Sequence, residues 1–598
     1  MQKTTNEFSI LVSTVNGSGS ATANNALMKA IFKMGIPISA RNIFPSNIQG
    51  LPTWFSLRVS EKKYLGRVDT YDILINMNKA VLEEDLQKIR KGGLILCDQP
   101  LPDEINRQYD VVTLPLQEVM EKASTPANLQ VYLMNMVYVG VLAALIGIEL
   151  DLIEETLNQH FHNSQKAVKP NYEVVKIAYD SISEQKRQQC KFTLEKRTLT
   201  DGYIVADGNK AAALGALYGG LQFSAWYPIT PATELAETLN EYNPALRNDP
   251  ETGKATCVIV QAEDELAAIG MTIGAGWAGL RSMTSTSGPG LCLMSEYLGL
   301  AYQSEVPVVV WDVQRVGPST GLPTRTAQGD LTFSYYLSHG DTDFVILLPG
   351  SVQECFEFGW RALDIAENLQ TPVIVLSDLE LGMNNWMTPE FRYPDTPVDR
   401  GKIIWEDEIN ELIKQNDGKW GRYLDIDGDG IGYRTLPGNK DHRAAYFARG
   451  TGHDPYAQYS EDPDVWYSEH DRLKRKFSKA PSLSPEPVLE RMKDSKIGVI
   501  SYGSSHFGVE EACDLLELEG TPVDYLRIRA IPFHNTISSF LKQHDTIYVV
   551  EANRDGQMAQ ILATTYPEQA ARIKKVAYLD GLALTAEKII TLIKAQEN

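Results

Sequence analysis

The sequence predicts an α/β protein of three domains with parallel sheets, joined through a loop-rich connector. Three observations carry this. The chain has 598 residues, too many for one hydrophobic core. Short apolar runs alternate with Gly-marked turns and helical stretches in three separate blocks. Between residues 401 and 487 that alternation fades and turn residues multiply.

The first block, 1–190, opens with "FSILVSTVNGSGSATANNALMKAIFKMG", which reads as strand, Gly-rich loop and helix, and "YDILINMN" and "GGLILCDQ" add further strands. The loop "NGSGSA", with Gly17 and Gly19, could present backbone N–H groups to a phosphate. Such loops also serve merely to turn the chain, and this one lacks the full dinucleotide fingerprint. The run "VYLMNMVYVGVLAALIGIEL" has the roughly 20 residues needed to span a bilayer. It contains Asn135 and runs directly into the amphipathic "DLIEETLNQHF", so it reads as a buried core or interface helix. The polar "NSQKAVKPNYE" and "SISEQKRQQCKFTLEKR" read as an exposed helix and a linker, placing a boundary near residue 190.

The second block, 191–400, repeats strand, turn and helix through "KAAALGALYGG", "FSAWYPITPATELAETLN" and "FVILLPGSVQECFEFGWRALDIAENLQTPVIVLSD", the pattern of a doubly wound parallel sheet. The connector, 401–487, contains "DIDGDGIGYRTL". Asp425, Asp427, Asp429 and Gly430 match the start of a calcium loop, but Leu436 stands where a bidentate Glu should close it, so an acidic turn is the preferred reading over a cation site. The last block, 488–598, is α/β again.

Apolar residues make up 43% of the chain and charged residues 22%, as in ordinary globular proteins. A formal charge of −21 argues against nucleic-acid binding, which depends on cations neutralising phosphates, and against an anionic membrane surface. Six scattered cysteines without a CxxC pair show no zinc or iron–sulfur pattern and fit reduced thiols. With an N-terminus unlike a signal peptide, a cytoplasmic location is expected.

In "VIVQAEDELAAIGMTIGAGWAG" the acids Glu263, Asp264 and Glu265 precede a Gly-rich segment that looks like a close-packed, buried helix. One or two acids suit the positive end of any helix. Three exceed what a cap requires, which makes a carboxylate here a candidate for chemistry. Farther on, "YPITPATE" places Thr230 between Ile229 and Pro231, so Thr230 suits an N-cap and Pro231 a first helical position.

At "YPITPATE" the chain closely resembles the 2-oxoacid:ferredoxin oxidoreductases, specifically alpha chains with a gamma-like domain fused at the N-terminus. "QAEDELAA", "TSTSGPGLCLMSE" and "DVQRVGPSTGLPTRTAQGDL" follow in that family's order and spacing. The resemblance spans essentially the whole chain. It implies a gamma-like domain, a thiamine pyrimidine-binding domain and a transketolase C-terminal-like domain. It also implies thiamine diphosphate chemistry: oxidative decarboxylation of a 2-oxoacid, acyl transfer to coenzyme A, and passage of electrons to ferredoxin. A beta subunit would hold Mg2+, the diphosphate and an iron–sulfur cluster, in an α2β2 assembly.

Residue by residue, the resemblance assigns Glu263 to N1′ of the cofactor's aminopyrimidine, where a carboxyl group promotes the imino tautomer. Tyr227 and Pro228 fall beside the cofactor. Thr230 falls on the 2-oxoacid's C1 carboxylate or keto oxygen, while Arg315 and Thr324, in "RVGPSTGLPT", contact substrate, Arg being suited to gripping a carboxylate. Asp454, in "GTGHDP", is a further pocket residue. Asp264 and Glu265 remain helix-terminus acids. A non-catalytic scaffold should have lost Glu263, Thr230 or Arg315, and this chain keeps all three. Another thiamine enzyme would need "GDG" followed about 25 to 30 residues on by Asn, and "DGDG" at 427–430 lacks it. The fused arrangement looks most like 2-oxoglutarate enzymes, with pyruvate or branched-chain 2-oxoacids as the alternatives.

Overall fold

The computed structural model describes residues 3–46, 51–123, 127–393, 395–416 and 418–597. The chain divides into two compact units, Met1–Ala206 with Asn384–Glu390, and Asp207–Met383 with Phe391–Asn598. The first unit therefore runs past residue 190, where the sequence suggests a boundary.

An eight-stranded sheet organises the first unit, in the order Asp110–Thr113, Ile89–Cys97, Tyr71–Asn76, Glu7–Val15, Pro52–Ser60, Ile38–Ile43, Asn385–Pro389, Tyr203–Ala206. The first four strands are parallel, as expected, and the remaining pairings are antiparallel. Glu7–Val15 is central and buried along seven consecutive residues, which is why it reads as continuous apolar sequence. The helix Ser20–Lys33 follows after Gly19, whose φ of 80° the turn demands.

The membrane-length stretch is Leu129–Ile146, of which 72% is buried within the protein. Its helix Asn135–Ile146 is buried at every position, so it needs no lipid to cover it. Gln165–Asp180 packs on it through Val168, Val174, Val175 and Ala178. That corrects the reading of an exposed helix: only its outer face is exposed. The contact is close because a Cβ on Gly140 would collide with the Val175 carbonyl.

The second unit holds a seven-stranded sheet in the order Val258–Gln261, Phe223–Trp226, Ser282–Thr286, Val308–Gln314, Pro372–Asp378, Val345–Leu347, Ala530–Ile531. All its pairings are parallel except the last. A five-stranded sheet, Val488–Arg491, Asp524–Ile528, Ile497–Tyr502, Thr546–Glu551, Ile573–Ala577, is parallel apart from its first strand. Buried Gln328 ties the two sheets. Its Nε2 donates to the Tyr502 carbonyl (2.9 Å), and its Oε1 accepts from Ser505 Oγ and Ala552 N, both at 2.8 Å.

The irregular connector is pinned by charge. Buried Glu305 accepts from Arg472 (2.5 Å) and Lys476 (2.8 Å) of helix Pro463–Phe477. The aspartates of "DIDGDG" are occupied by protein cations: Lys402 Nζ reaches Asp427 (2.6 Å) and Asp429 (2.9 Å), and Arg475 reaches Asp425 at 3.2 Å. This is an acidic turn closed by lysine and arginine.

Candidate functional site

Because the first six strands of the second unit's main sheet are parallel, the loops leaving their carboxyl ends emerge along one edge. Ligands of open α/β sheets bind at that edge. Trp226 pairs with Gln261 at the ends of their strands, and Ala262 N donates to the Trp226 carbonyl at 2.8 Å. Tyr227 and Pro228 therefore leave one strand beside the point where Glu263 leaves the next. All three are exposed, and among the described residues the Glu263 carboxylate has no polar partner.

The other two acids are helix-terminus groups, as expected. Asp264 is the N-cap of Glu265–Trp277, its Oδ1 accepting from Ala267 N at 2.6 Å, and Glu265 is buried in the first turn. The helix itself departs from the reading of a buried element. Gly276 packs so closely that a Cβ there would strike the Pro307 carbonyl, whereas nothing lies within 4 Å of Gly274, and Leu266, Met271 and Trp277 are exposed. One face is close-packed and the opposite apolar face is open.

Thr230 does not cap a helix, which corrects the sequence reading. Residues after Ile229 form a turn, with Ala232 N and Thr233 N both donating to the Ile229 carbonyl, and the Thr230–Pro231 peptide is cis. The helix starts at Thr233 with Ala232 as its N-cap. The hydroxyl is thus released from capping. Asn209 Nδ2 holds the Pro231 carbonyl at 2.8 Å, and Arg315 Nη1 donates to the Thr230 carbonyl at 2.7 Å.

That last contact joins two candidates 85 residues apart in the chain. Arg315 is only 7% exposed, and its Nε is buried without an acceptor. Burial lowers the guanidinium's pKa, while Asp330 and Asp312 pull it upward. Thr324 closes the loop that follows: Val316 N donates to the Arg325 carbonyl, and Arg325 Nη1 donates to the Thr324 carbonyl (2.8 Å) and hydroxyl (3.2 Å). Among the described residues no hydrogen bond joins Asp454 to this group. Its Oδ1 accepts from Tyr456 N and Gln458 N, both at 2.9 Å, closing its own turn.

Asn209, Asp312 and Asp330 were not singled out from sequence. Asp312 and Asp330 lie inside "DVQRVGPSTGLPTRTAQGDL", and the available signal was a carboxylate within the apolar strand "VVVWDVQ". Along the edge Tyr227, Pro228 and Glu263 stand exposed, whereas Arg315 is buried. A cavity of about 470 Å³ lies elsewhere, along Glu296, Gly299, Tyr302, His339 and Trp466.

The family models that match are "Pyruvate flavodoxin/ferredoxin oxidoreductase, thiamine diP-bdg" over residues 214–396 and "Pyruvate ferredoxin/flavodoxin oxidoreductase" over 9–181. The alpha subunit of 2-oxoacid:ferredoxin oxidoreductase 1 of Sulfurisphaera tokodaii is 31% identical, with 91% of each chain covered. This chain belongs to the 2-oxoacid:ferredoxin oxidoreductase alpha subunits. The 2-oxoglutarate synthase subunit KorA of Methanothermobacter marburgensis is 36% identical over 60% of this chain and 90% of its own. Among solved structures, the 2-oxoglutarate:ferredoxin oxidoreductase from Magnetococcus marinus matches with a TM-score of 0.87 and 28% identity, covering 99% of this chain and 100% of that one. It was solved with 2-oxoglutarate, coenzyme A and succinyl-CoA bound. The family is one of oxidoreductases, and the segment carrying Thr230, Glu263, Arg315 and Thr324 lies wholly within the thiamine diphosphate-binding match.

Proposed function

We propose that this chain is the alpha subunit of a cytoplasmic 2-oxoglutarate:ferredoxin oxidoreductase. The enzyme converts 2-oxoglutarate and coenzyme A to succinyl-CoA and carbon dioxide, with two electrons passed singly to ferredoxin, and can run in reverse. The observation that carries the reading is the Arg315–Thr230 contact on the same strand-end edge as the unpartnered Glu263 carboxylate. The ligands of the Magnetococcus enzyme support the choice of substrate.

Thiamine diphosphate, when bound, supplies the carbon nucleophile and the electron sink for decarboxylation. The residues present fit it: Glu263, free of protein partners, is available to hydrogen-bond N1′ and hold a proton there, with Tyr227 and Pro228 beside the ring. Thr230, its hydroxyl released from capping, serves the C1 carboxylate or keto oxygen. Arg315 serves the distal carboxylate, with Thr324 on the adjoining loop and Asp454 as an outer pocket residue. The strand-end edge and the exposed Leu266, Met271, Trp277 and Leu322 form the face for a beta subunit. That subunit holds the diphosphate, Mg2+ and the iron–sulfur cluster in an α2β2 assembly. By the same reading, the first unit, Met1–Ala206 with Asn384–Glu390, holds the gamma-like domain, and the second holds the pyrimidine domain up to about residue 400 and, over 488–598, the transketolase C-terminal-like domain, with 401–487 between them.

The test is purification of the native complex followed by coenzyme A-dependent viologen reduction across a panel of 2-oxoacids. Highest kcat/KM with 2-oxoglutarate is expected. A preference for pyruvate or a branched-chain 2-oxoacid would overturn the substrate assignment, and no turnover with any 2-oxoacid would return the chain to a scaffold role.

A further inference from the structure

Behind Arg315 two carboxyl groups meet without a donor between them. Asp312, on strand Val308–Gln314, is 0% exposed, and neither of its oxygens receives a hydrogen bond from an N–H or O–H group. Oδ2 of Asp330 is likewise buried and without a donor. The backbone fixes the meeting: Asp330 N donates to Gln314 Oε1 at 3.0 Å, and Gly288 leaves the necessary space, since a Cβ there would lie 2.7 Å from both Asp330 oxygens. The charged and titratable side chains facing the pair are Arg315 and Cys292. Partial burial and then the two aspartates raise the Cys292 thiol's pKa, so it stays neutral. Arg315 is the cation available to balance them.

Two neighbouring carboxylates, one wholly buried and the other half-buried with its Oδ2 shut off from water, do not readily stay ionised together. We propose that Asp312 and Asp330 share a proton behind Arg315 and take up a second when the carboxylate of a 2-oxoacid binds that arginine. The uptake step rests on the substrate reading given above. Asp312 and Asp330 act here as positioning residues, through Arg315.

The charges give the sign. With one shared proton the pair carries a single negative charge, which Arg315 balances. An arriving carboxylate adds a second negative charge beside the same arginine, and in a buried site that excess is relieved by protonating the pair. Burial raises both acids, and for Asp312 the Asp330 charge adds to it. The pair therefore binds its second proton more tightly in the complex than in the free enzyme. Substrate affinity is full below the free enzyme's pKa for that proton and falls as pH rises through the interval up to the bound value. KM should climb there by up to about tenfold per pH unit while kcat moves less.

Two measurements test this. In the reconstituted complex with its beta subunit, titration calorimetry of 2-oxoglutarate in buffers of differing ionisation enthalpy should show uptake approaching one proton near neutral pH. Asp312→Asn and Asp330→Asn should abolish the uptake and flatten the pH dependence of KM. A merely structural role would lower the melting temperature or kcat and leave the proton count intact, which would overturn the proposal. On the chain alone, difference infrared spectra should show a protonated-carboxyl band in the wild type that both variants lack; its persistence in either variant would refute the shared proton. Failure of the wild-type complex to bind any 2-oxoacid would overturn the substrate reading and the uptake step with it, while the infrared band would still decide the shared proton.

Discussion

At residue scale the distinction that matters is between carboxylates the fold has used and those it has left over. Asp264 caps its helix and Glu265 is buried in that helix's first turn, whereas Glu263 is exposed and unpartnered. Glu263→Gln should therefore leave the melting temperature unchanged. It should lower kcat by roughly a hundredfold or more, because an amide cannot support the proton position that the carboxyl group does. The effect on KM should be small, and near-normal turnover would remove Glu263 from the mechanism. Arg315→Ala should act in two parts. Freeing the Thr230 carbonyl costs both 2-oxoglutarate and pyruvate about 1 kcal/mol. The unpaired distal carboxylate costs 2-oxoglutarate roughly 3 to 5 kcal/mol more. The ratio of kcat/KM values should thus collapse by on the order of a hundredfold or more; equal losses would keep Arg315 in the site but deny it selectivity. The run of three acids marked a carboxylate here as a candidate, but the choice of Glu263 among them, like that of Arg315, came from segments that resemble a known family. Asp312 and Asp330 were not legible, because a carboxylate in an apolar strand gains a meaning only when folding shows what it faces.

At the scale of elements, local periodicity made the alternating strands and helices readable, while pairings made far along the chain were not. Asn385–Pro389 fits between Ile38–Ile43 and Tyr203–Ala206 in the first unit's sheet. No short-range pattern announces a strand that completes a sheet begun more than three hundred residues earlier. The connector shows the same limit. Its turn residues were evident, but the helix Pro463–Phe477 is held by Glu305, whose partners Arg472 and Lys476 lie 167 and 171 residues away. Burial alone would raise the Glu305 carboxyl, yet Arg472, Lys476 and Arg422 outweigh it and hold it below its ordinary range. It is therefore ionised at neutral pH. Glu305→Gln removes that charge and leaves two buried cations facing an amide, which should destabilise the second unit by roughly 3 to 5 kcal/mol in urea unfolding. A change within about 0.5 kcal/mol would show that the network does not anchor the connector. Replacing Lys476 by Met in the same chain should recover part of the loss, since one of the stranded cations is then gone.

At the scale of the whole molecule the question is how much of an oxidoreductase one chain contains. The described structure brings Arg315 onto the Thr230 carbonyl and leaves the Glu263 carboxylate exposed and without a polar partner along the same strand-end edge. Nothing in the sequence offers the rest: the six cysteines are dispersed, five of them buried separately, and the acidic turn that imitates a diphosphate motif is neutralised by Lys402 and Arg475. An iron–sulfur cluster needs several thiolates converging on one place, and among the described residues no such group of ligands converges. The chain purified alone should therefore be colourless and unable to reduce viologen with thiamine diphosphate, Mg2+, coenzyme A and 2-oxoglutarate supplied. Adding the beta subunit should restore both colour and turnover in one step, because the strand-end edge is then covered and water is excluded from the reacting carboxylate. Visible absorption and a viologen assay on the separate and mixed chains decide this. A cluster band or thiamine-dependent turnover from the alpha chain by itself would mean that the residues assigned to the partner are present here after all.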